Sequence, residues 1–132
     1  MYLLDTSTVS LALRGHAPLV VERLRATERD DVAVSVVTAM ELRFGLAKNP
    51  SVRARGVVEQ FLDTVKVLSI DRAVEKPYGD VRAALENRGR PIGALDTIIA
   101  AHALSLRAVL VTNNLREFRR VKGLGCEDWT KR

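Results

Sequence analysis

Three acidic residues and an asparagine pair are spread over the chain where they could act together: Asp5, Glu41, Asp96 and Asn113-Asn114. Clustered carboxylates repel one another, so at least one holds a raised pKa unless a cation compensates their charge. Mg²⁺ and Mn²⁺ suit such oxygen ligands. Two such ions about 3.5–4 Å apart activate a water molecule and stabilise the leaving oxygen of a phosphodiester. If the fold brings these residues together, they predict metal-dependent hydrolysis of a phosphodiester.

Two of these acids also have an ordinary structural interpretation when taken alone. Asp5 follows a short apolar run and would serve equally well as the cap of the next helix. Asp96 lies in the first turn of an apolar helix, where an acid interacts well with the helix dipole. However, Asp96 shares a helix side with Ala100 and Ala103, whose small side chains let the helix approach the sheet. That approach would carry Asp96 towards the strand ends.

Glu41 occupies a position that is harder to explain by structure alone. It shares one side of a predicted helix with Val37, Phe44 and Gly45. An acid within an apolar stripe is costly unless it is paired or coordinated. An ion pair with Arg43, or with an arginine of a neighbouring helix, and a metal ligand are therefore both left open.

The elements that must position these acids are short strands alternating with longer helices. We predict strands at residues 2–4, 32–36, 65–70 and 108–111, with 126–129 as a last edge strand. We predict helices from Thr6 or Ser7 as cap to about Gly15, then at residues 18–28, 37–48, 52–64, 71–87 with Asp71 as cap, 95–106 and 115–121. This order implies an α/β/α sandwich whose short, mostly parallel sheet is flanked by helices. Ligands of such sheets bind beyond the carboxyl ends of the strands.

The composition is that of one ordinary folded domain. The 132 residues are 47% hydrophobic and 28% charged, so we expect a single domain over residues 1–132. Lys and Arg number 21 against 16 Asp and Glu, and the net charge of +5 favours a nucleic-acid partner. With one cysteine, Cys126, no leader peptide and no apolar stretch of about 20 residues, we expect a cytoplasmic protein without a membrane segment.

Several other kinds of site lack their sequence patterns. There is no glycine-rich dinucleotide fingerprint, no phosphate-binding loop and no Cys/His cluster for zinc. Only His16 and His102 could serve a Ser/His/Asp set, and His102 lies on an apolar stripe with Ile98 and Ile99. We therefore predict His102 to be a core histidine with a satisfied hydrogen bond. Aromatic residues make up 5%, which argues against a platform for stacking bases.

Four segments and a late tripeptide resemble the PIN-domain family, in particular its VapC-type toxins. They are residues 3–7 (LLDTS), 35–45 (SVVTAMELRFG), 91–104 (PIGALDTIIAAHAL) and 111–118 (VTNNLREF), with Glu127-Asp128-Trp129 near the end. The segment 91–104 is the most specific of them. The likeness spans nearly the whole chain, in the family's order.

The resemblance implies a ribonuclease whose acids bind Mg²⁺ (or Mn²⁺). Carried over by position, Asp5, Glu41 and Asp96 would be catalytic residues and metal ligands. Many PIN domains place a fourth acid directly after the last strand, where this chain has Asn113 and Asn114. A VapC subgroup uses a later glutamate, which would be Glu117 as the fourth catalytic residue and ligand. The resemblance also implies that Thr6, Ser7 and Asn113 support the site by hydrogen bonds.

The resemblance further implies partners and a substrate. VapC toxins are typically homodimers held inactive by a VapB-type antitoxin. The subgroup with the pieces at residues 112–118 and 127–129 cleaves tRNA, specifically initiator tRNA in its anticodon stem-loop. Our candidates for phosphate contacts are four arginines: Arg14, Arg43, Arg82 and Arg90.

Two other function classes compete with the nuclease. The first is a PIN-like module that binds RNA or a protein partner without cleaving it. The second is a receiver-like phosphoacceptor, which also has acids at strand ends. That class needs adjacent acids before its phosphorylated Asp and a Lys after the last strand, whereas this chain has the lone Asp5 and then Asn113-Asn114.

Overall fold

The structure, a computed structural model, describes all residues from Met1 to Arg132 as a five-stranded sheet with seven α-helices. The strands are β1 (Tyr2–Leu4), β2 (Val32–Ser35), β3 (Lys66–Leu68), β4 (Val109–Val111) and β5 (Cys126–Glu127). The helices are α1 (Thr6–Leu13), α2 (Pro18–Ala26), α3 (Val36–Lys48), α4 (Val52–Thr64), α5 (Glu75–Asn87), α6 (Ala94–Leu106) and α7 (Leu115–Phe118). The predicted α/β architecture is confirmed.

The sheet is entirely parallel, with strand order β3-β2-β1-β4-β5. The chain adds β2 and β3 on one side of β1 and then returns to add β4 and β5 on the other. Because parallel crossovers are right-handed, this reversal places the helices that follow β3 on the opposite face from those that precede it. The reversal between β1 and β4 is the place where ligands of such sheets bind.

Alternate residues of the strands feed two separate cores, one on each face of the sheet. Leu3, Ala33 and Leu110 pack with buried residues of α5, α6 and α7. Leu4 and Val34, which point to the other face, pack with buried residues of α1, α2, α3 and α4. This two-sided burial explains why the central strands β1 and β4 are apolar throughout rather than alternating. It also makes the sheet a rigid platform for the side chains at its carboxyl edge.

The structure decides between the possible caps of α1 and corrects the predicted start of α5. Asp5, rather than Thr6 or Ser7, caps α1, because its carboxylate accepts the backbone N–H of Thr8. Asp71 caps a short 3₁₀ turn (Arg72–Val74), and α5 begins only at Glu75. That later start places Pro77 in the first helical turn, where its missing N–H costs no hydrogen bond.

Some predicted boundaries and faces also differ from the structure. The strand expected over 65–70 is three residues long, and the helix expected over 115–121 ends at Phe118. Phe44, expected on the apolar side of α3, is exposed, as is Leu95 at the start of α6. No helix is both long and apolar enough to cross a membrane.

Candidate carboxylate site

Asp5 lies at the carboxyl end of β1 with only 3% of its surface exposed. Its backbone N–H donates to the carbonyl of Val111 on β4, which ties the strand end to its neighbour. Its Oδ1 accepts the N–H of Thr8 at 2.9 Å, and its Oδ2 accepts the hydroxyl of Thr112 at 2.6 Å. A buried carboxylate needs such donors to compensate lost hydration. Asp5 is therefore held in one orientation at the central strand.

Thr112 is a site residue that the sequence analysis did not single out. It follows β4 directly, is fully buried, and bonds to Asp5 across the point where the strand order reverses. Its Oγ1 also accepts the backbone N–H of Asn114 at 2.9 Å, which fixes the loop after β4. The available signal was a hydroxyl residue directly after a buried strand, but its partner depends on β1 lying beside β4.

Ser7 and Asn113, both predicted as supporting residues, meet beside Asp5. The Ser7 hydroxyl donates to Asn113 Oδ1 at 2.5 Å, whereas its contacts with the two Asp5 carboxylate oxygens are 3.3 and 3.4 Å. A serine has one hydroxyl proton, so the shorter contact to Asn113 takes it. The pair links the first turn of α1 to the loop after β4.

Glu41 is held by a chain of hydroxyl groups rather than by an ion pair. Thr6 donates to Glu41 Oε1 at 2.6 Å, so the 3.0 Å contact between Thr6 and Thr38 leaves the Thr38 hydroxyl as the donor. Thr38 is fully buried and lies one turn before Glu41 on α3. Arg43, the partner weighed for Glu41, binds Glu59 of α4 instead. The carboxylate of Glu41 therefore forms no ion pair with a basic side chain.

Glu117 and Asn114 lie together after β4. The Asn114 side-chain amide donates to Glu117 Oε2 at 2.9 Å. Glu117 lies on α7, near enough to the other acids for its charge to raise the pKa of Asp96. Asn114 thus fixes the orientation of the Glu117 carboxylate beside the loop that follows β4.

Asp96 experiences the charges of all three other acids. It is half-buried in the first turn of α6, beside the sheet edge. Burial, followed by the charges of Asp5, Glu41 and Glu117, raises its pKa from the usual 3.8 to about 6. Its neighbours Ala100 and Ala103 are fully buried, so the expected close approach of α6 to the sheet is confirmed. The fold therefore brings the four predicted acids to one edge of the sheet.

The chemistry of this donor set fits a divalent cation. None of the four acids forms an ion pair, although seven ion pairs occur elsewhere in the molecule. Carboxylate oxygens are the ligands that Mg²⁺ and Mn²⁺ prefer. However, no three Asp, Glu, His or Cys side chains lie close enough together to hold one ion directly. The arrangement fits an ion bound by one or two carboxylates with water filling its other positions, as is usual for Mg²⁺.

His102 lies outside this site, as predicted. It is buried, and its Nδ1 lies 2.9 Å from the Ser35 hydroxyl, which also accepts the N–H of Val37 and caps α3. Because the Ser35 oxygen accepts that N–H, its own proton is available to the imidazole. Burial lowers the pKa of His102, an effect that the charge of Asp71 partly offsets.

Comparisons with known proteins give a consistent result. A model of the PIN domain matches residues 2–124. The sequence is 38% identical over 130 residues to the tRNA(fMet)-specific endonuclease VapC of Shigella flexneri, with 98% of each chain covered. It is 36% identical over 136 residues to Ribonuclease VapC1 of Haemophilus influenzae (strain R2866), with 99% of each chain covered.

Solved structures of similar chains have the same fold. A chain of the DNA-bound VapBC structure from Salmonella typhimurium superposes with a TM-score of 0.91 at 37% identity, covering 97% of each chain. A chain of the VapBC-1 structure from nontypeable Haemophilus influenzae superposes with a TM-score of 0.89 at 33% identity, covering 98% of each chain.

Proposed function

The chain belongs to the PIN-domain family of ribonucleases and to its VapC toxins, and we propose that it is a Mg²⁺-dependent (or Mn²⁺-dependent) endoribonuclease that cleaves a tRNA. The observation that carries this proposal is that four acids meet at one sheet edge and that none of them forms an ion pair with a basic side chain. They are Asp5, Glu41, Asp96 and Glu117. Neither rival class accounts for it. A pure binding module needs no such charge cluster, and a phosphoacceptor would need a lysine after the last strand.

The four acids have distinct roles in this proposal. Asp5 and Asp96 would hold a divalent ion and orient the attacking water, while Glu41 would complete the ligand shell or accept the proton of that water. Glu117 contributes the fourth carboxylate, oriented by Asn114. When bound, a divalent ion lowers the pKa of a coordinated water and offsets the charge that develops on the phosphodiester.

The supporting residues keep these carboxylates in place in the proposed site. Thr6, backed by Thr38, fixes Glu41, and the link from Ser7 to Asn113 closes the crevice beside Asp5. Each of these hydroxyls donates to an oxygen of the site, so in this proposal the residues that carry them position the acids. Loss of an orienting group around a metal site typically costs 10- to 100-fold in metal affinity or activity.

The tRNA substrate rests on sequence similarity to relatives whose names specify it. The relatives from Shigella flexneri and Salmonella typhimurium are both named tRNA(fMet)-specific endonuclease, and both are 38% identical to this chain. Initiator tRNA, cut in its anticodon stem-loop, is therefore the substrate that we propose. The basic composition, with a net charge of +5, supports a polyanionic substrate.

We further propose that a VapB-type antitoxin binds and inhibits the protein and that the protein forms a homodimer. The antitoxin proposal is supported by the similarity to chains of VapBC complexes. The dimer proposal is supported by three exposed apolar side chains on α3 and α6, the helices that carry Glu41 and Asp96. Met40 and Phe44 lie one turn apart on α3 with 58% and 66% of their surface exposed, and Leu95 on α6 is 43% exposed. Burial of such a patch by a second copy would remove it from water.

The proposal is tested by digesting tRNA with the wild type and with Asp5→Asn and Asp96→Asn, in Mg²⁺, in Mn²⁺ and in a chelator. Asp63→Asn, which removes an exposed carboxylate of α4, is the matched control. We expect the two site variants to lose activity by about 100-fold or more and the control to keep it. Equal digestion by all four proteins, or digestion unaffected by the chelator, would show that a contaminating nuclease is responsible.

A further inference from the structure

Six basic side chains form no ion pair with a carboxylate and belong to two segments of the chain that hydrogen bonds connect. They follow α5, or lie on α7 and directly after it: Arg88, Arg90, Arg116, Arg119, Arg120 and Lys122. Seven of the protein's 21 basic residues form ion pairs, but none of these six does. We call these six residues the basic surface. Its charge is not used for internal pairing, so it is available to a ligand.

Two arginines of the basic surface are fixed by backbone carbonyls. Arg88 donates to the carbonyls of Ala84 and Arg120, at 3.3 and 2.8 Å, and Arg120 donates to the carbonyl of Pro91 at 3.1 Å. These bonds connect the end of α5, the loop before α6 and the segment after α7. The Nε of Arg120 is buried with no hydrogen-bond partner, although a buried donor normally has one. Arg88 and Arg120 are therefore held in fixed positions, while the other four cations of the basic surface are exposed.

The position of the basic surface relates it to the acids. Glu117, which faces the carboxylate site, and Arg116, Arg119 and Arg120 lie on or directly after the same four-residue helix, α7. A ligand that contacts these cations therefore lies next to the segment that carries Glu117. In this segment Glu117 is the residue proposed to bind metal, and Arg116, Arg119 and Arg120 are the residues that could bind phosphate.

We propose that the basic surface binds the phosphate backbone of a helical stem of the RNA substrate, away from the phosphodiester that is cleaved. This inference rests on the proposed ribonuclease function and specifies how the substrate is held. Phe118, the aromatic residue of α7, is fully buried, so the surface presents it to no base. Proteins that bind single strands commonly stack the bases on aromatic side chains, whereas guanidinium groups bind phosphates whatever the base. The surface is thus suited to a duplex, whose bases are already stacked.

An acidic peptide is the competing ligand. Arg88, Arg120 and Lys122 border a groove of about 400 Å³ whose floor includes Val81 and Leu104. An amphipathic acidic segment would use both the apolar floor and the cations. However, the cations beyond the groove, Arg90 and Arg119 among them, have no role in that interpretation, whereas phosphates at regular spacing would use all six.

The test measures RNA binding without cleavage, in a chelator, by fluorescence anisotropy. The probes are a labelled RNA hairpin with a ten-base-pair stem and a single-stranded RNA of equal length. The variant Arg90→Gln/Arg119→Gln/Lys122→Gln removes three exposed cations and spares the two arginines that bond to carbonyls. The matched control Arg25→Gln/Arg53→Gln/Arg55→Gln removes three exposed, unpaired cations from α2 and α4.

We expect the first variant to weaken hairpin binding by about 10- to 100-fold at low salt, and to reduce the slope of log K against log salt by about 2 to 3. The control should change binding less than 3-fold, and the single strand should bind the wild type more weakly than the hairpin. Equal effects of the two variants, or binding of the single strand as tight as that of the hairpin, would overturn the proposal.

The readouts separate this inference from the proposed function. Failure of the nuclease proposal would appear as absence of chelator-sensitive cleavage, which the binding assay does not use. If cleavage depends on Asp96, the basic-surface variant should raise KM for a hairpin substrate while leaving kcat within about 2-fold. A fall in kcat with unchanged KM would assign these cations to the chemical step and would contradict a role in holding the stem.

Discussion

At the residue scale, the ionised form of Asp96 destabilises the folded protein when no metal is bound, because the side chain is half-buried beside three other acids. Its pKa is raised to about 6, so between about pH 4 and pH 6 the folded protein binds a proton that the unfolded chain releases. The loss of folding stability caused by ionised Asp96 is therefore absent below about pH 4 and fully present above about pH 6. A carboxylate paired with an arginine has the opposite effect, because its ionised form stabilises the folded protein.

We therefore expect Asp96→Asn to stabilise the metal-free protein. In a chelator at pH 7.5 the gain should be about 1 kcal/mol, discounted for solvent screening because Asp96 is half-buried. The gain should disappear near pH 4. Thermal unfolding of both proteins at the two pH values checks this, with Asp63→Asn as the control. A destabilised Asp96→Asn at pH 7.5 would mean that Asp96 is paired in a way the structure does not contain.

Thr112 offers a second test at the same scale, because its hydroxyl connects the strand end of β4 to Asp5. Thr112→Val removes this 2.6 Å bond at nearly constant volume, and Thr112→Ser keeps it. We expect Thr112→Val to lower metal-dependent RNA cleavage by about 10- to 100-fold and to weaken Mn²⁺ binding in isothermal titration calorimetry. The serine variant should recover most of both. If Thr112→Val keeps full activity, or if Thr112→Ser loses as much activity as Thr112→Val, the hydroxyl does not have the role assigned to it.

The acids could be predicted from the sequence, but their hydrogen-bond partners could not. Asp5, Glu41 and Asp96 occupy positions where an uncompensated carboxylate is expensive, and that cost is visible in one sequence. In contrast, the bond from Thr112 to Asp5 joins residues 107 positions apart and depends on the pairing of β1 with β4. The choice of Asp5 over Thr6 as the α1 cap was likewise open, because neighbouring side-chain oxygens compete for the same N–H groups.

At the scale of elements, α3 is tied to α6 by a single polar contact inside the core. His102 of α6 reaches Ser35, whose oxygen caps α3, the helix that carries Glu41. Burial lowers the pKa of His102 below its usual 6.5, although the charge of Asp71 opposes this. The imidazole of the unfolded chain therefore binds a proton more readily than that of the folded protein. The stability that comes from burying neutral His102 is lost as the pH falls through 6.5 towards the lowered pKa.

We expect His102→Gln to reduce the loss of stability between pH 7.5 and pH 5. Glutamine keeps a group for the contact with Ser35 but does not titrate, so the difference in unfolding free energy between the two pH values should shrink. Urea unfolding measures that difference whatever the absolute stability of the variant. His16→Gln, at an exposed loop position, should leave it unchanged. An unaltered difference in His102→Gln would mean that His102 is charged in the folded state.

Strong local signals explain which elements could be predicted. The bounds of α4 agree with the prediction because Ser51 caps its start and Val65 ends it in extended backbone. The apolar face of α6 was assigned less well: Ile99 is buried, but Leu95 and Leu106 are exposed. A helix that is apolar on nearly every side gives no clear phase to its periodicity. The sequence then leaves open which side contacts the sheet.

At the scale of the whole molecule, the reversal of strand order determines where chemistry occurs. Asp5 and Thr112 end the two strands on either side of the reversal, and the elements on the two faces of the sheet add Glu41 and Asp96. The alternation of strands and helices in the sequence was sufficient to predict this edge. It was not sufficient to predict that α3 and α6 leave Met40, Phe44 and Leu95 exposed beside the site.

This exposed patch leads to a prediction about assembly. A twofold interface uses each residue twice, so losing Phe44 from both copies removes about 4 kcal/mol of burial, or about a thousandfold in the dimer dissociation constant. We expect the wild type to scatter light as a particle of twice the 14.6 kDa chain mass at micromolar concentration, and Phe44→Glu as a single chain. Val52→Glu places the same charge at a valine that is 93% exposed on α4 and should remain dimeric. A wild type that elutes as a single chain, or a Val52→Glu that dissociates equally, would contradict an interface centred on Phe44.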